Sequence, residues 1–157
     1  MVFREIVFGT AEYRLERDLR HAVLREPLGL SFTAEELANE DKQLHFGLFE
    51  PEDNLIACVV AVRLSPTDAR IRQMAVTPAH QRRGLGTRLM KELEEHLRSR
   101  GFTNLVLHAR ASAVEFYEKL GFRCVGAVFD EAGIPHRKMI LKKTRKRPQR
   151  TQRTQKM

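Results

Sequence analysis

Apolar and polar positions along residues 1–141 repeat with two different periods, which predicts both strands and helices. Largely apolar runs at residues 44–49 and 55–64 are typical of buried strands, and the Pro-Glu-Asp-Asn turn between them indicates a hairpin. Over residues 89–97 a leucine instead recurs at every fourth position, which is the spacing of one helix face. Two kinds of element therefore follow one another along the chain.

Cap and turn residues divide the rest of the chain. Thr10 and Thr33 can accept hydrogen bonds from the first amides of a helix, and Gly101 and Gly121 are suited to ending one. Strands are expected at residues 4–8, 69–76, 105–107, 122–129 and 138–141, and helices after residue 10, after residue 33, at 86–100 and at 112–120. Hairpins that lead into strand–helix–strand units indicate a mixed α/β sheet with helices on its faces.

The composition is that of a folded domain followed by a basic tail. The chain has 157 residues, of which 42% are hydrophobic and 31% charged, and no apolar run approaches the roughly 20 residues that span a bilayer. Eight of its 28 Lys and Arg residues lie at residues 142–157, where there is no Asp or Glu, so the net charge of +8 belongs to the tail. We expect a near-neutral domain at residues 1–141 and a disordered tail that could contact nucleic acid weakly.

Targeting and redox features indicate a cytoplasmic protein. The first five residues, Met-Val-Phe-Arg-Glu, are not the start of a secretory signal. Cys58 and Cys124 lie far apart inside apolar runs, so we expect two buried, reduced thiols. Neither has the spacing of a metal ligand, and no metal is expected.

A basic segment with two glycines, Gln-Arg-Arg-Gly-Leu-Gly-Thr at residues 81–87, lies between a predicted strand and a predicted helix. The first amides of a helix have no partner inside it, and glycine lets a phosphate approach them without a Cβ atom in the way. Two nucleotide-binding loops do not fit, because Leu89 occupies the third glycine position of the dinucleotide motif and no Lys follows Gly86. The segment predicts a pyrophosphate site, with a plain helix-opening turn as the alternative.

Two motifs resemble those of one enzyme family. Residues 81–86 match the Gln/Arg-x-x-Gly-x-Gly/Ala signature of the GNAT superfamily of N-acyltransferases. Further along, residues 113–122 resemble the second GNAT hallmark, Ala-x-x-Phe-Tyr-x-Lys-x-Gly-Phe. With a helix and a strand predicted between the motifs, the chain resembles a small, single-domain, bacterial-type member. The resemblance is strong over residues 69–122 and extends to the order of elements over residues 5–141.

This resemblance implies an α/β (α+β) fold with a mostly antiparallel central sheet, helices on both faces and two neighbouring strands that splay apart near Val76 and Leu107. It also implies acetyl-CoA as co-substrate, with its pantetheine arm between those strands and its pyrophosphate at the glycine segment. A backbone N–H near Ala75 or Val76 would face the thioester oxygen. The implied cofactor-binding residues are Met74, Ala75, Val76, Gln81, Arg82, Arg83, Gly84, Leu85, Gly86, Thr87, Arg110 and Tyr117.

The same resemblance implies direct transfer of an acetyl group to an amine, with Tyr117 as the acid. A phenol can donate a hydrogen bond or a proton to the leaving thiolate, although plain core packing is the alternative. The base stays open, because residues 69–74 lack the Glu that many members carry there. Residues 129–136 resemble the Phe-x-Glu-x-Gly-Ile-Pro-His segment of a subset of small bacterial GNAT proteins, so Glu131 and His136 are the candidates.

The acceptor site has three candidate ligands, Arg25, His108 and again His136. Arg110 replaces the Asn with which many relatives contact the cofactor arm, and it could bind a cofactor phosphate or an acidic acceptor. We expect a small-molecule amine as acceptor, with a peptide N-terminus or a protein lysine as the alternative. A nucleic-acid-binding module that acts through the tail is the alternative of another class. An exposed closing strand at residues 138–141 could pair with a second copy as a homodimer.

Overall fold

The structure, a computed structural model, describes residues 1–142, so the basic tail predicted at residues 142–157 lies outside it except for Lys142. Within residues 1–142 the strands are β1 (Val2–Ile6), β2 (Leu44–Glu50), β3 (Asn54–Arg63), β4 (Asp68–Val76), β5 (Asn104–Arg110), β6 (Arg123–Glu131) and β7 (Ile134–Lys142). The α-helices of this part are α1 (Ala11–Arg20), α2 (Ala34–Leu37), α3 (Leu85–Ser99) and α4 (Val114–Lys119). No helix in it is long and apolar enough to cross a membrane.

The seven strands form one sheet in the order β1-β2-β3-β4-β5-β7-β6. All neighbours pair antiparallel except β4 and β5, which are parallel. The expected mixed, mostly antiparallel sheet is therefore confirmed. The expected hairpin is also present, since β2 and β3 pair from Leu44↔Ala61 to Glu50↔Asn54.

The closing strand differs from the sequence expectation. β7 begins at Ile134 rather than at residue 138 and lies between β5 and β6, so it is not an exposed edge. It turns back directly after β6, with Glu131 opposite Ile134, and its Met139 is fully buried. The edge strand on this side is β6, and Met139 of β7 belongs to the hydrophobic core.

Helix caps form where the sequence predicts them. The hydroxyl of Thr10 accepts a hydrogen bond from the Tyr13 amide at 3.2 Å, and Thr33 forms a reciprocal capping box with Glu36. The first helix is shorter than expected, because α1 ends at Arg20 and the chain continues as a π-helical turn at His21–Arg25. This turn leads into the Glu26–Leu28 turn, which contains Pro27.

Both faces of the sheet are covered. The leucine face of α3 is fully buried and packs on the face of β3 that carries Val59 and Ala61. On the opposite face, the Cys58 thiol lies 3.9 Å from the backbone oxygen of Glu16 in α1. Cys58 is buried as expected, whereas Cys124 is only partly buried.

A cluster of five polar side chains lies in the interior on the α1 side. Tyr13, Glu16 and Arg20 come from α1, and Glu40 and His45 come from the α2–β2 region. The Arg20 guanidinium donates two hydrogen bonds to the Glu40 carboxylate, at 2.6 and 2.9 Å, and lies 2.8 Å from Glu16. Burial alone would raise the pKa of Glu40, but hydrogen bonds from Arg20 and Tyr13 outweigh it and lower that pKa. Each buried charge therefore has a partner.

His45 completes the cluster as a cation. Its Nδ1 lies 3.1 Å from a Glu16 oxygen and its Nε2 lies 2.8 Å from the backbone oxygen of Glu40. Only the imidazolium carries a proton on both nitrogens and can donate to both acceptors. Burial alone would lower the pKa of His45, but the hydrogen bond and charge of Glu16 outweigh it and raise that pKa. Two carboxylates are thus balanced by two cations.

We predict that stability falls as the pH rises above neutrality. The pKa of His45 is higher in the folded chain than its unfolded value of about 6.5, so its contribution is complete below about pH 6.5 and is lost as the pH rises through the folded value. Urea unfolding between about pH 6 and pH 9 is therefore expected to show a falling midpoint. His45→Gln should remove this slope, whereas His21→Gln, outside the cluster, should keep it. An equal slope in both variants contradicts the assignment.

Candidate active site

The central feature of the site is the separation of β4 from β5. The two strands pair in parallel from Asp68↔Asn104 to Ile71↔Leu107 and no further. Both strands continue past this point, β4 by five residues and β5 by three. The expected splayed strand pair is therefore present, and it opens directly after Ile71.

An extra residue in β4 lies at the start of this opening. The register against β3 passes from Val60↔Arg72 to Cys58↔Ala75, so β4 carries one residue more than its partner. Gln73 lies in this bulge with a φ of +55°, in the left-handed region. Its side-chain oxygen accepts a hydrogen bond from Arg20 of the buried cluster. The cluster thus holds the bulge in place.

A cleft of about 830 Å³ lies at the opening. Residues from β4, β5, α4, the β6–β7 hairpin and the segment between α1 and β2 form its walls. The wall residues that the sequence had singled out are Arg25, Met74, His108, Arg110, Tyr117, Glu131 and His136. The tertiary structure therefore brings together candidates that lie up to 111 positions apart in the chain.

A row of free backbone amides follows β4. The first helical hydrogen bond of α3 runs from the Arg88 amide to the Gly84 oxygen at 3.1 Å, and none of the amides of residues 82–87 has a partner within residues 1–142. Gly84 precedes the helix with a φ of +76°, and Arg82 has a φ of +64°. The Gln81 side chain donates to the Val76 oxygen at 2.9 Å and closes the loop on the strand. Such a row of amides at a helix N-terminus suits an anion.

The side chains of this loop are separate from the cleft. Arg82, Arg83 and Gly84 are exposed and Leu85 is buried in the core, and none of the residues 81–87 lines the cleft. Gly86 packs closely on α4, because a Cβ atom there would lie 3.4 Å from the Phe116 ring and 3.6 Å from Met74. The loop and the cleft are connected through β4, which lines the cleft up to Met74 and ends at Val76.

Tyr117 is held on α4 by two aromatic neighbours. Its ring meets Phe116 and Phe122 edge to face, with ring centroids 4.9 and 5.9 Å apart. Its hydroxyl has no hydrogen-bond partner among residues 1–142, although its side chain lines the cleft. Burial raises the pKa of Tyr117 to about 12, so the phenol keeps its proton at neutral pH.

Two imidazoles and a carboxylate form a second group in the cleft. Nδ1 of His108 lies 2.9 Å from one Glu131 oxygen and 3.0 Å from the Arg70 guanidinium. Nε2 of His136 lies 3.8 Å from the other Glu131 oxygen, and its Nδ1 lies 2.7 Å from the backbone oxygen of Ile134. Since a carbonyl oxygen only accepts, Nδ1 of His136 carries a proton and Nε2 of the neutral ring keeps a lone pair.

The two remaining candidates have contacts of their own. Arg25 forms a double hydrogen bond with Glu36, at 3.0 and 2.6 Å, and its guanidinium lies over the Phe32 ring at 4.7 Å. Arg110 donates to the backbone oxygen of Leu24 at 3.4 Å. Arg25 thus ties the turn after α1 to α2 and forms part of the cleft wall.

Sequence reasoning missed two arginines of the cleft, Arg70 and Arg72, and the whole buried cluster. Alternation in β4 contains a signal for the arginines, because Ala69 and Ile71 are buried and the arginines lie on the opposite face. The cluster gives no such signal, since Glu16 and His45 are separated by 29 positions and have no motif.

Comparison with known proteins agrees with the geometry. Residues 28–143 match a family model described as an acetyltransferase (GNAT) domain. A Bacillus subtilis protein named as the uncharacterized N-acetyltransferase YjcF is 33% identical over 79 residues, which are 50% of this chain and 56% of that protein. The [ribosomal protein bS18]-alanine N-acetyltransferase of Salmonella typhimurium is 38% identical over 73 residues, 45% of this chain and 49% of that protein. The chain spans about half the length of the curated relatives it matches.

Solved structures are similar over nearly the whole chain. The crystal structure of a protein assigned as an N-acetyltransferase, from Lactobacillus plantarum, superimposes with a TM-score of 0.79 and 26% identity. The alignment covers 90% of this chain and 99% of that one. Structures with the same fold contain coenzyme A or acetyl-CoA.

We predict that neither tyrosine of the chain ionises at its usual pH in the folded state. Burial raises the pKa of Tyr117 to about 12, and burial with the Glu40 contact does the same for Tyr13. Ultraviolet titration should therefore show little tyrosinate at pH 10, where a free phenol is half ionised. Tyr117→Phe leaves one tyrosine and should halve the final signal without moving its midpoint. Tyrosinate that forms near pH 10 while circular dichroism stays native contradicts the prediction.

Proposed function

The chain belongs to the GNAT family of acetyltransferases, and from this premise we propose that it transfers the acetyl group of acetyl-CoA to the amine of a small molecule. The separation of β4 and β5 carries this proposal. Because β4 runs from the cleft into the row of free amides, an anion-binding loop and a cleft with a phenol and two imidazoles lie along one strand. This arrangement suits a long anionic donor whose reactive end meets a second reactant.

The proposed donor site uses backbone more than side chains. Acetyl-CoA supplies an acetyl group activated as a thioester. The amides of residues 82–87 would hold its pyrophosphate, with charge added by Arg82 and Arg83. Residues 74–76, which form no pair with β5, would hold the amide groups of its pantetheine arm. Of the two expected donors to the acyl oxygen, Ala75 and Val76, the N–H of Val76 is the candidate, because the Ala75 N–H contacts the Cys58 thiol on the β3 side.

His136 is the base in this proposal. An alkylammonium with a pKa of about 10.4 must lose a proton before it can attack. Nε2 of His136 has the free lone pair, because Nδ1 donates to Ile134, and the Glu131 carboxylate at 3.8 Å stabilises the imidazolium that forms. The other oxygen of Glu131 lies 2.9 Å from Nδ1 of His108 and 3.9 Å from the Arg70 guanidinium, and these two neighbours orient the carboxylate.

Tyr117 is the acid in this proposal. Its phenol is protonated at neutral pH and its hydroxyl has no partner within residues 1–142, so it is available to a leaving thiolate. A thiol has an ordinary pKa of about 8.5, below that of this phenol, so the main contribution is a hydrogen bond to the thiolate. Tyr117 is largely buried in the cleft wall, and the low polarity around its hydroxyl strengthens that bond.

The walls of the cleft on several sides support the proposal that the acceptor is a small molecule. The Arg25–Glu36 pair joins the turn after α1 to α2 on one side, and the β6–β7 hairpin with Ala132 lies on another. A protein amine is the alternative, because the Salmonella relative is named for an alanine of a ribosomal protein. A screen that follows release of the CoA thiol, with small amines and short peptides as acceptors, separates the two.

The acid and base are tested with Tyr117→Phe and His136→Gln. Each is expected to lower kcat by about 100-fold, the lower range for a positioned proton donor or acceptor, with little change in the KM for acetyl-CoA. Stopped-time assays of thiol release give both constants. His21→Gln, outside the cleft, should react as the original protein does. If either test variant keeps full kcat, the role of that residue is refuted.

The loop is tested by placing the same strain at two glycines. Gly84 and Gly101 both have a positive φ, +76° and +94°, and a Cβ atom would meet nothing within 4 Å at either site. Alanine costs about 1–2 kcal/mol in this region, so both variants should lose similar stability. Only Gly84→Ala should also weaken CoA binding, by about 10-fold, because the strain is relieved by turning the amides of the loop. Equal CoA affinity in the two variants by calorimetry would exclude the loop as the pyrophosphate site.

A further inference from the structure

The charges of the cleft are not balanced. Four arginines line it: Arg25, Arg70, Arg72 and Arg110. The first is paired with Glu36 at 2.6 Å, and the second lies 3.9 Å from Glu131. The one other carboxylate of the lining, Glu35, is exposed at the rim.

Arg72 has no carboxylate oxygen within 4.0 Å among residues 1–142. Its guanidinium donates a hydrogen bond to the neutral Gln43 oxygen at 3.3 Å. Burial lowers the pKa of its guanidinium, partly offset by the more distant charge of Glu40, while Arg70 and Arg20 lower it further. A partly buried cation without a close partner is costly, so an anion that enters the cleft gains from meeting it.

The position of Arg72 separates it from the phosphate loop. Ile71 and Leu107 form the last β4–β5 pair, so Arg72 and His108 are the first residues of the open stretch. The loop begins only after Val76, beyond residues 74–76. An anion at Arg72 therefore lies on the imidazole side of the cleft, because Arg70 on the same face of β4 contacts His108 at 3.0 Å.

We propose that the acceptor is a small amine that also carries a carboxylate, and that Arg72 binds this carboxylate. This inference rests on the proposed function. A guanidinium binds a carboxylate through two parallel N–H bonds, which fixes the orientation as well as the affinity of the acceptor. With the carboxylate held at Arg72, the amine of an amino acid would lie on the imidazole side of the cleft, where His136 is the proposed base.

The test compares amino acids with their carboxamides, which have a similar shape and an α-amine but lack the negative charge. In the thiol-release assay, the unmodified chain should show a KM about 10- to 100-fold lower for the acid than for its amide, the range expected for hydrogen bonds to a charged group. Arg72→Gln should raise the KM for the acid to that of the amide and leave the KM for acetyl-CoA unchanged. Arg72→Lys, which keeps the charge without the fork, should give an intermediate value. Arg14→Gln, exposed on α1 and outside the cleft, is the matched control.

Binding of the same pairs is measured by calorimetry with CoA present, so that the result does not depend on turnover, and circular dichroism confirms folding of each variant. Equal binding of acids and amides by the unmodified chain overturns the role of Arg72 while leaving acetyl transfer intact. A higher KM for acetyl-CoA in Arg72→Gln also overturns it, because the residue then serves the donor. Failure of the unmodified chain to bind CoA at all instead overturns the proposed function.

Discussion

The structure depends on one constraint: two parallel strands must separate in the middle of a sheet without losing the sheet. β4 pairs with β3 from Ala69 to Val76 with one bulge at Gln73, while its pairing to β5 stops at Ile71. The extra residue at Gln73 accommodates the change in direction. Strand amides and carbonyls that lose a neighbour need other partners, so the opening is stable only where water or a ligand can enter. A cleft with a polar floor is the direct consequence.

The buried charge cluster contacts this opening directly. Arg20 donates both to Glu40 and to Gln73, so the bulge is fixed from the core side rather than by β5. A buried charge cluster is not needed for stability alone, since an apolar core of equal volume often gives the same free energy of unfolding. The cluster does fix the local geometry, however, because the planar guanidinium of Arg20 sets the angle at which its hydrogen-bond partners lie. Stability and the shape of the cleft are therefore linked through one side chain.

The charges and hydrogen-bonding groups that surround β4 differ from one end of the strand to the other. Free amides at residues 82–87 form an open surface with the positive end of α3 behind them. At the cleft, Tyr117 presents a neutral donor and the His108–Glu131–His136 group presents proton acceptors. Arg72 adds a cation whose charge the cleft itself does not match. Under the proposals above, the two ends of the opening would bind two different anions, the pyrophosphate of the donor at the loop and a carboxylate of the acceptor at Arg72.

The sequence by itself determined the local parts of this protein: the capped helices, the β2–β3 hairpin, the glycine loop before α3 and the motif that carries Tyr117. These depend on hydrogen bonds and turns between residues a few positions apart, which leave a pattern in the sequence. Only the tertiary structure decided which polar groups meet, such as Arg20 with Gln73, 53 positions away, and His108 with Glu131, 23 positions away. It also moved the last strand from the edge into the sheet. Such contacts depend on strand order and on the face that a bulge selects, and neither leaves a local pattern.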